Sequence, residues 1–361
     1  MTTEPASRTP VPFCRLRYGG EDATLDQGGG DGHGGIGAER LDRRTLRPGL
    51  VAGTHGLRRD APGDAVRRLG ENGSHFTDAR SVTHRELGEY GCTLSFEGDE
   101  LRGELVLRME AYTERDQQDR EFMSTFLEDG FVSQAPVPRG LPGFIDQFGA
   151  VQFLVPCPDL GKDDAGRQRK LLVRTQFGKD ALWGHPAAYE TAVALVNGAS
   201  DRLGCGAEPI SAPGGDTGLT EPGKSPKPVP LGEAGEGGCG WATRADLPRP
   251  DRWRVADGLN DAAPTGRCQL LYEDGTGSDD SGRLVLAAWY GDWSDRLVAD
   301  EDGIPRPLTA TARCGGEAAN FALGERGGVP GLSRADHRVL LEAFARDQVG
   351  RRDCSGLRVN G

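Results

Sequence analysis

The cysteines constrain the fold of this chain more than any other feature. Eight cysteines are spread over 361 residues, and no two of them form a C-x-x-C pair. Zinc ribbons and thioredoxin-like redox motifs both use such pairs, so the sequence supports neither. In an exported protein an even number of cysteines suggests disulfide bonds, whereas in a cytosolic protein it could be chance or metal binding.

Two segments of the chain repeat the same order of elements around these cysteines. One begins "CTLSFEGDELRGELVLRMEAY" at Cys92, and the other begins "CQLLYEDGTGSDDSGRLVLAAWY" at Cys268. Each consists of an apolar stretch, a polar turn and a second apolar stretch, which predicts a β-hairpin. After each hairpin come a short strand ending on a cysteine, at Cys157 and Cys314, and one further strand.

A helix that ends on a cysteine completes each segment. "HPAAYETAVALVNGASDRLGC" places Pro186 in a first helical turn, with apolar residues at helical spacing behind it. "LSRADHRVLLEAFARDQVGRRDC" opens with Ser333 and Asp336 in the arrangement of a capping box. The repeated order predicts an α+β fold of two tandem repeats, each a small antiparallel sheet with a C-terminal helix tied by a disulfide.

The repeat also predicts cysteine pairs. In each unit the cysteine that ends a strand would join the one that ends the helix, as Cys157–Cys205 and Cys314–Cys354. Closing loops of this length stabilises a fold by roughly 4 kcal/mol each in the chain-entropy model. Cys239 and Cys268 form a third predicted pair, in the second unit.

The first unit lacks a counterpart of this third pair. The repeat would place the missing cysteine near residue 60, where the chain has none. Cys14 and Cys92 are therefore left as unpaired or uncertain.

Composition divides the chain into four predicted parts. Residues 206–238 are rich in Pro, Gly and small polar residues, as expected of a linker. The linker separates a first α+β unit at 69–205 from a second at 239–361. Residues 1–68 precede both units and are interpreted as a disordered or out-of-frame N-terminal segment.

A glycine-rich stretch in this N-terminal segment, "GGGDGHGGIG" at 28–37, has the spelling G-x-G-x-x-G of a dinucleotide-binding turn. That turn requires a buried strand before it and a helix after it, and here both flanks are polar or charged. We therefore expect no nucleotide site.

A shifted reading frame over residues 15–65 is our hypothesis for this segment. It would explain together the missing export signal, the missing cysteine and the missing periodicity.

Charge and hydropathy limit the partners of the protein. The formal net charge is −12, which repels nucleic acid and anionic membranes. No apolar run in residues 1–68 is long enough for a signal peptide, and none elsewhere is long enough to span a membrane. We expect no nucleic-acid partner and no membrane insertion by this sequence, although the cysteine pattern predicts an extracytoplasmic location.

No motif in the sequence identifies a catalytic, metal or cofactor site. H-E-x-x-H, G-x-S-x-G and the P-loop pattern are all missing, so we predict no cofactor and leave enzymatic activity uncertain. Cys92 could form a nucleophilic pair with His84, but a Cys92 that has lost its disulfide partner is the favoured interpretation. The acidic stretch 273–282 lacks the Gly position and final Glu of a calcium loop, so it is interpreted as a solvated hairpin turn.

Two tryptophans near the end of the second hairpin have different predicted roles. Trp289 continues a strand and is predicted to be a core residue. Trp293 follows it in "YGDWSD" and is a possible ligand contact, with packing in the loop as the alternative.

The arginine-rich composition, the "MTTEP" start and the paired cysteine–hairpin–helix units resemble actinobacterial extracytoplasmic proteins. Over residues 69–361 the resemblance implies a lipoprotein-like or membrane-anchored protein with duplicated, disulfide-stapled domains, and it carries no catalytic residue over. The chain departs from this class because it shows no anchor. The expected function is a non-enzymatic cell-envelope module that binds an unknown ligand or protein partner. A secreted hydrolase with an unreadable site and a frame-damaged product without function are the alternatives.

Overall fold

The computed structural model describes nine stretches of the chain. Their bounds are 63–69, 76–96, 105–125, 134–178, 186–214, 226–235, 237–273, 282–294 and 308–360.

The first half of the chain forms a seven-stranded sheet in the order β1-β2-β3-β7-β6-β5-β4, with every neighbouring pair antiparallel. Its elements in chain order are α1 Gly63–Arg68, β1 Phe76–His84, β2 Glu89–Phe96, β3 Leu105–Tyr112, α2 Arg115–Thr125, β4 Ala135–Pro136, β5 Gly143–Ile145, β6 Val151–Pro156, β7 Lys170–Phe177 and α3 Pro186–Leu203.

The second half forms another seven-stranded antiparallel sheet, in the order β14-β12-β13-β11-β10-β9-β8. Its elements are β8 Val229–Pro230, β9 Trp253–Gly258, β10 Thr265–Tyr272, β11 Arg283–Tyr290, β12 Thr309–Cys314, β13 Glu317–Arg326, α4 Arg334–Arg351 and β14 Ser355–Val359. The described chain is thus a mixed α+β protein that consists mostly of antiparallel sheet.

Each sheet buries one face under a helix. In the first sheet, Tyr189, Val193 and Val196 of α3 lie in one buried cluster with alternate residues of the strands, such as Met109 and Val173. This alternation follows from the two-residue period of a strand, which sends successive side chains to opposite faces.

The second sheet is covered in the same way by α4. The ring of Phe344 lies 6.1 Å from that of Phe321 on β13 and 5.7 Å from that of Trp241. The predicted capping box is confirmed, because Ser333 accepts from the backbone N–H of Asp336 while the Asp336 carboxylate accepts from the backbone N–H of Ser333.

The sheet faces turned away from α3 and α4 meet each other through a small apolar cluster. Phe144 and Leu172 of the first sheet and Trp289 of the second are buried in this inter-sheet cluster, together with Phe122 of α2. In β11 the neighbouring Leu286 points to the opposite side and belongs to the α4 core. The layers therefore run helix, sheet, sheet, helix.

Disulfides tie the ends of these elements together. The described residues contain Cys157–Cys205, Cys239–Cys268 and Cys314–Cys354, which are the three pairs that the repeat predicts. Cys92 is also disulfide-bonded and points into the core under α3, so the interpretation that it has lost its disulfide partner is wrong. Cys14 lies outside the described residues.

The structure changes several predicted boundaries. Residues 63–68, assigned to the N-terminal segment, form α1, whose Ala65 and Val66 are fully buried in the core of the first sheet. Both described ends of the predicted linker 206–238 also pack: Ile210 lies against the first core and Leu231 is buried in the second. The helix of the second unit is not its last element, because β14 follows α4 and pairs with β12. The rest of the reading-frame segment 15–65 lies outside the described residues.

Candidate functional site

A charged cluster lies on the face of the first sheet that opposes the second sheet. Glu110 on β3 and Arg174 on β7 are direct cross-strand partners. Nε of Arg174 lies 3.1 Å from Oε1 of Glu121 on α2 and 3.3 Å from Oδ2 of Asp146, and its Nη1 lies 3.9 Å from Oε2 of Glu110. One guanidinium therefore gathers three carboxylates that come from separate elements.

Asp146 is the structural member of this cluster. It is fully buried, and its carboxylate accepts from the backbone N–H groups of Phe148 and Ala150 in the β5–β6 turn. It also accepts from Nε2 of Gln152 at 2.9 Å. A buried carboxylate that accepts hydrogen bonds from two backbone N–H groups and a side-chain amide holds the turn in place.

Glu110 and Glu121 differ from Asp146 because solvent reaches them, with 22% and 19% of their side chains exposed. Burial raises the pKa of Glu121, and the negative charges of Glu110 and Asp146 act in the same direction. Burial, followed by the charges of Glu110 and Glu121, raises the pKa of the nearby Tyr112 to about 12. A carboxyl group with a raised pKa beside a second carboxyl group is an arrangement suited to general acid–base chemistry.

A second polar group joins the two sheets at the start of β7. Arg167 donates to Asp163 at 2.8 Å and to Asp292 of the second half at 3.1 Å, and Lys170 pairs with Glu317. Asp163, Arg167 and Lys170 line part of a cavity of about 40 Å³. Because each cation here has a carboxylate partner, the group is best suited to holding the sheets together.

A third polar group closes the seam between β4–β5 and β9–β10. Asn260 donates to the carbonyl of Leu141 at 2.9 Å, and Arg267 donates to the carbonyl of Gln134 at 3.1 Å. The cavity between them measures about 10 Å³, which is room for a single water molecule. This seam is closed to an organic ligand.

Three arginines lie on the opposing face of the second sheet. Arg283 on β11 and Arg326 on β13 are cross-strand partners, and Arg267 on β10 lies on the same face. Arg326 is exposed, while Arg267 and Arg283 are half-buried. Burial, and then the positive charges of Arg283 and Arg326, lowers the pKa of Arg267 to about 10.

The structure also places the residues that the sequence proposed for chemistry. A Cys92–His84 nucleophilic pair is wrong: Cys92 is disulfide-bonded, and the register sets it opposite Ser81 while His84 lies opposite Glu89. Among the described residues no group of three His, Cys, Asp or Glu could hold a metal ion.

Trp289 is fully buried in the inter-sheet cluster. Trp293 lies in the short 3₁₀ turn Asp292–Ser294 after β11, and the placement of its side chain is outside the described part of the structure. Most of the acidic stretch 273–282 also lies outside it. No described helix is long and apolar enough to cross a membrane.

Sequence reasoning missed the Glu110–Arg174 cluster and the three arginines. Alternation in "LRMEAY" does place Arg108, Glu110 and Tyr112 on one face of β3, so the polar face was readable. The residues on β7 and α2 that contact this polar face could not be identified from the sequence, because those contacts depend on strand order.

Comparison of the chain with protein-family models, with curated proteins and with solved structures gives no match in any of the three.

Proposed function

We propose that this protein is a non-enzymatic, extracytoplasmic module of the cell envelope that binds a ligand or a protein partner between its two sheets. The observation that carries the proposal is the arrangement of charge around the inter-sheet cluster. Solvent-accessible charged side chains lie on the opposing faces of both sheets, such as Glu110, Arg283 and Arg326, and Glu121 of α2 lies beside them. Ligand sites occur preferentially where two such halves meet.

The disulfides support the extracytoplasmic part of this proposal. Cys157, Cys205, Cys239 and Cys268 are fully buried, and disulfides of this kind persist in oxidising compartments. The three described disulfides are consistent with such a compartment. Thiol labelling tests the location: maleimide added to the producing cells before lysis should modify no cysteine until a reductant is added. Free thiols in the native protein would contradict the proposal.

We further propose that the two halves arose by duplication. Five strands of each sheet follow one order, β1-β2-β3-β7-β6 in the first and β9-β10-β11-β13-β12 in the second. Cys92 and Cys268 both lie on the second of these strands, so the disulfide of Cys92 would match Cys239–Cys268.

Counting the cysteines makes the duplication testable. Six of the eight form the described disulfides and Cys92 is bonded as well, which leaves Cys14 as its only possible partner within one chain. Non-reducing peptide mapping should therefore recover a Cys14–Cys92 peptide. Recovery of Cys92 as a free thiol, or in an intermolecular bond, would contradict the proposal.

Binding to the envelope is tested by sedimentation of the purified, oxidised full chain with isolated actinobacterial cell walls. We expect saturable co-sedimentation that is lost when the disulfides are reduced and the chain unfolds. A chain that stays in the supernatant at all wall concentrations would argue against a wall component as the ligand. Cross-linking of the same chain in intact cells would then have to find a protein partner for the proposal to stand.

A secreted hydrolase is the second candidate, and the raised pKa of Glu121 beside Glu110 is the observation that favours it. Turnover of fluorogenic ester, amide and glycoside substrates should then be lost in both Glu110→Gln and Glu121→Gln. Glu86→Gln is the matched control, because 75% of that side chain is exposed and it lies outside the cluster. Turnover that survives in both cluster variants excludes this site.

A further inference from the structure

Arg283 and Arg326 of the second sheet differ from other cations of the inter-sheet region because no described carboxylate pairs with them. Arg167, Lys170 and Arg174 each contact at least one carboxylate. Within the described residues, neither Arg283 nor Arg326 has a carboxylate at ion-pair distance, and the buried Nε of Arg283 has no hydrogen-bond acceptor. The positive charge of this pair is therefore not neutralised by a described group.

The placement of these arginines is unfavourable for the isolated fold. Arg283 and Arg326 are directly opposite in the ladder between β11 and β13, and like charges in that position repel. A buried N–H without an acceptor adds a desolvation cost. Arg267 lies near both of them on the same face, and its pKa is lowered by burial and then by the charges of Arg283 and Arg326.

We infer that Arg283 and Arg326, with Arg267 beside them, form a binding site for an oxyanion group of the ligand. Guanidinium groups bind carboxylates and phosphates through paired N–H donors, and such an anion would remove both the repulsion and the unmet donor. Arg326 is exposed, whereas Arg283 and Arg267 are half-buried. An anion can therefore reach the site from solvent on the side of Arg326. This inference rests on the proposed binding function and names the class of its ligand.

Binding of inorganic phosphate and of citrate to the oxidised full chain, measured by calorimetry at low ionic strength, tests the site. The two probes distinguish a phosphate from a carboxylate ligand. In Arg283→Gln/Arg326→Gln we expect binding to weaken about 100-fold, or roughly 10-fold for each guanidinium removed. The charge-conserving variant Arg283→Lys/Arg326→Lys should retain part of the affinity, because it keeps the charge but loses the paired donors.

Arg334→Gln/Arg338→Gln is the matched control. It removes the same charge from the exposed side of α4, so its affinity for phosphate and citrate should change less than about twofold if binding is local. An equal loss in the control would show non-specific attraction and overturn the inference. So would failure of the wild-type chain to bind either probe.

Thermal stability provides a readout that a purely structural role would not produce. Without anion, Arg283→Gln/Arg326→Gln should melt at the same temperature as the wild type or higher, because it removes a like-charge pair. With phosphate or citrate only the wild type should gain stability. A variant that is less stable in both conditions would show that the arginines serve the fold.

The connection between β10 and β11, residues 274–281, lies outside the described residues and carries Asp279 and Asp280. The carboxylates of this connection would compete with an added anion for the arginines. The variant Asp279→Asn/Asp280→Asn is therefore measured in the same binding experiment. Anion binding that appears only in this variant would mean that the chain neutralises its own arginines, and it would overturn the inference. If the arginines bind neither phosphate nor citrate, the wall-sedimentation result is unaffected, so the anion site and the envelope-binding function are tested independently.

Discussion

Arg174 shows how one residue organises a polar site inside a sheet protein. Its guanidinium lies among Glu110, Glu121 and Asp146, and only Asp146 is fully buried. Asp146 accepts from two backbone N–H groups, whereas Glu110 and Glu121 are partly exposed to solvent. Burial is the largest cause of the raised pKa of Glu121, and the negative charges of Glu110 and Asp146 raise that pKa further.

The raised pKa of Glu121 has a consequence for stability. The folded state binds this proton more tightly than the unfolded chain, so the stabilisation is present below the ordinary value of 4.5 and is lost as pH rises through the higher folded pKa. Glu121→Gln cannot titrate. Its free energy of unfolding should therefore increase relative to the wild type between pH 4 and pH 7, as measured by urea titration.

Glu86→Gln serves as the reference for this pH series, since Glu86 is exposed and lies outside the cluster. A difference between Glu121→Gln and wild type that stays constant over the same pH range would show that Glu121 does not titrate differently in the folded state.

At the level of elements, α4 is the clearest case of a helix whose start is set locally. Ser333 and Asp336 exchange hydrogen bonds at its first turn, with Ser333 N–H donating to Asp336 Oδ2 at 2.8 Å. The helix then buries Leu340, Leu341 and Phe344 on the second sheet. The cap specifies where the helix begins, and the apolar side chains specify which face packs.

Loss of the cap should therefore destabilise the protein modestly without changing the fold. Ser333→Ala is expected to lower the free energy of unfolding by about 1 kcal/mol. Ser355→Ala is the control, because Ser355 is exposed at the start of β14 and should change stability by less than about 0.5 kcal/mol. Equal denaturation midpoints for Ser333→Ala and wild type would contradict a stabilising cap.

At the level of the whole molecule, the two halves are joined by a small apolar cluster and by polar contacts around it. Trp289 is the largest side chain of that cluster and is fully buried, with Ala287 and Ala322 beside it. The polar contacts, such as Arg167–Asp292, are partly exposed and each contributes little. We expect Trp289 to provide most of the coupling between the halves.

Trp289→Ala should lower stability by about 3–5 kcal/mol and separate the unfolding of the two halves into distinct transitions. Trp253→Ala is the matched control, because Trp253 is equally buried but packs on Tyr272 within the second half. The control should destabilise the second half without weakening the contact with the first. Hydrogen exchange resolved along the chain distinguishes these outcomes, and matching exchange patterns in the two variants would refute the coupling role of Trp289.

Several elements were predictable because their signals are short in range. The hairpins β2–β3 and β10–β11 follow from strand periodicity around a polar turn, and α3 and α4 follow from helical periodicity and capping. Strands β4, β5 and β8 were not predictable. They contain only two or three residues, too few to show a period, and they exist because an adjacent strand supplies the hydrogen bonds.

The sequence by itself determined the hairpin and the covering helix of each half and three of the cysteine pairs, because these depend on periodicity and on closing one loop at a time. Only the tertiary structure decided which side chains meet between the sheets. Glu110, Glu121 and Arg174 come from three elements, and Arg283 meets Arg326 across a ladder of distant strands. Their convergence depends on strand order and on sheet-to-sheet packing, which are set by the burial of whole faces and leave no local signal in the chain.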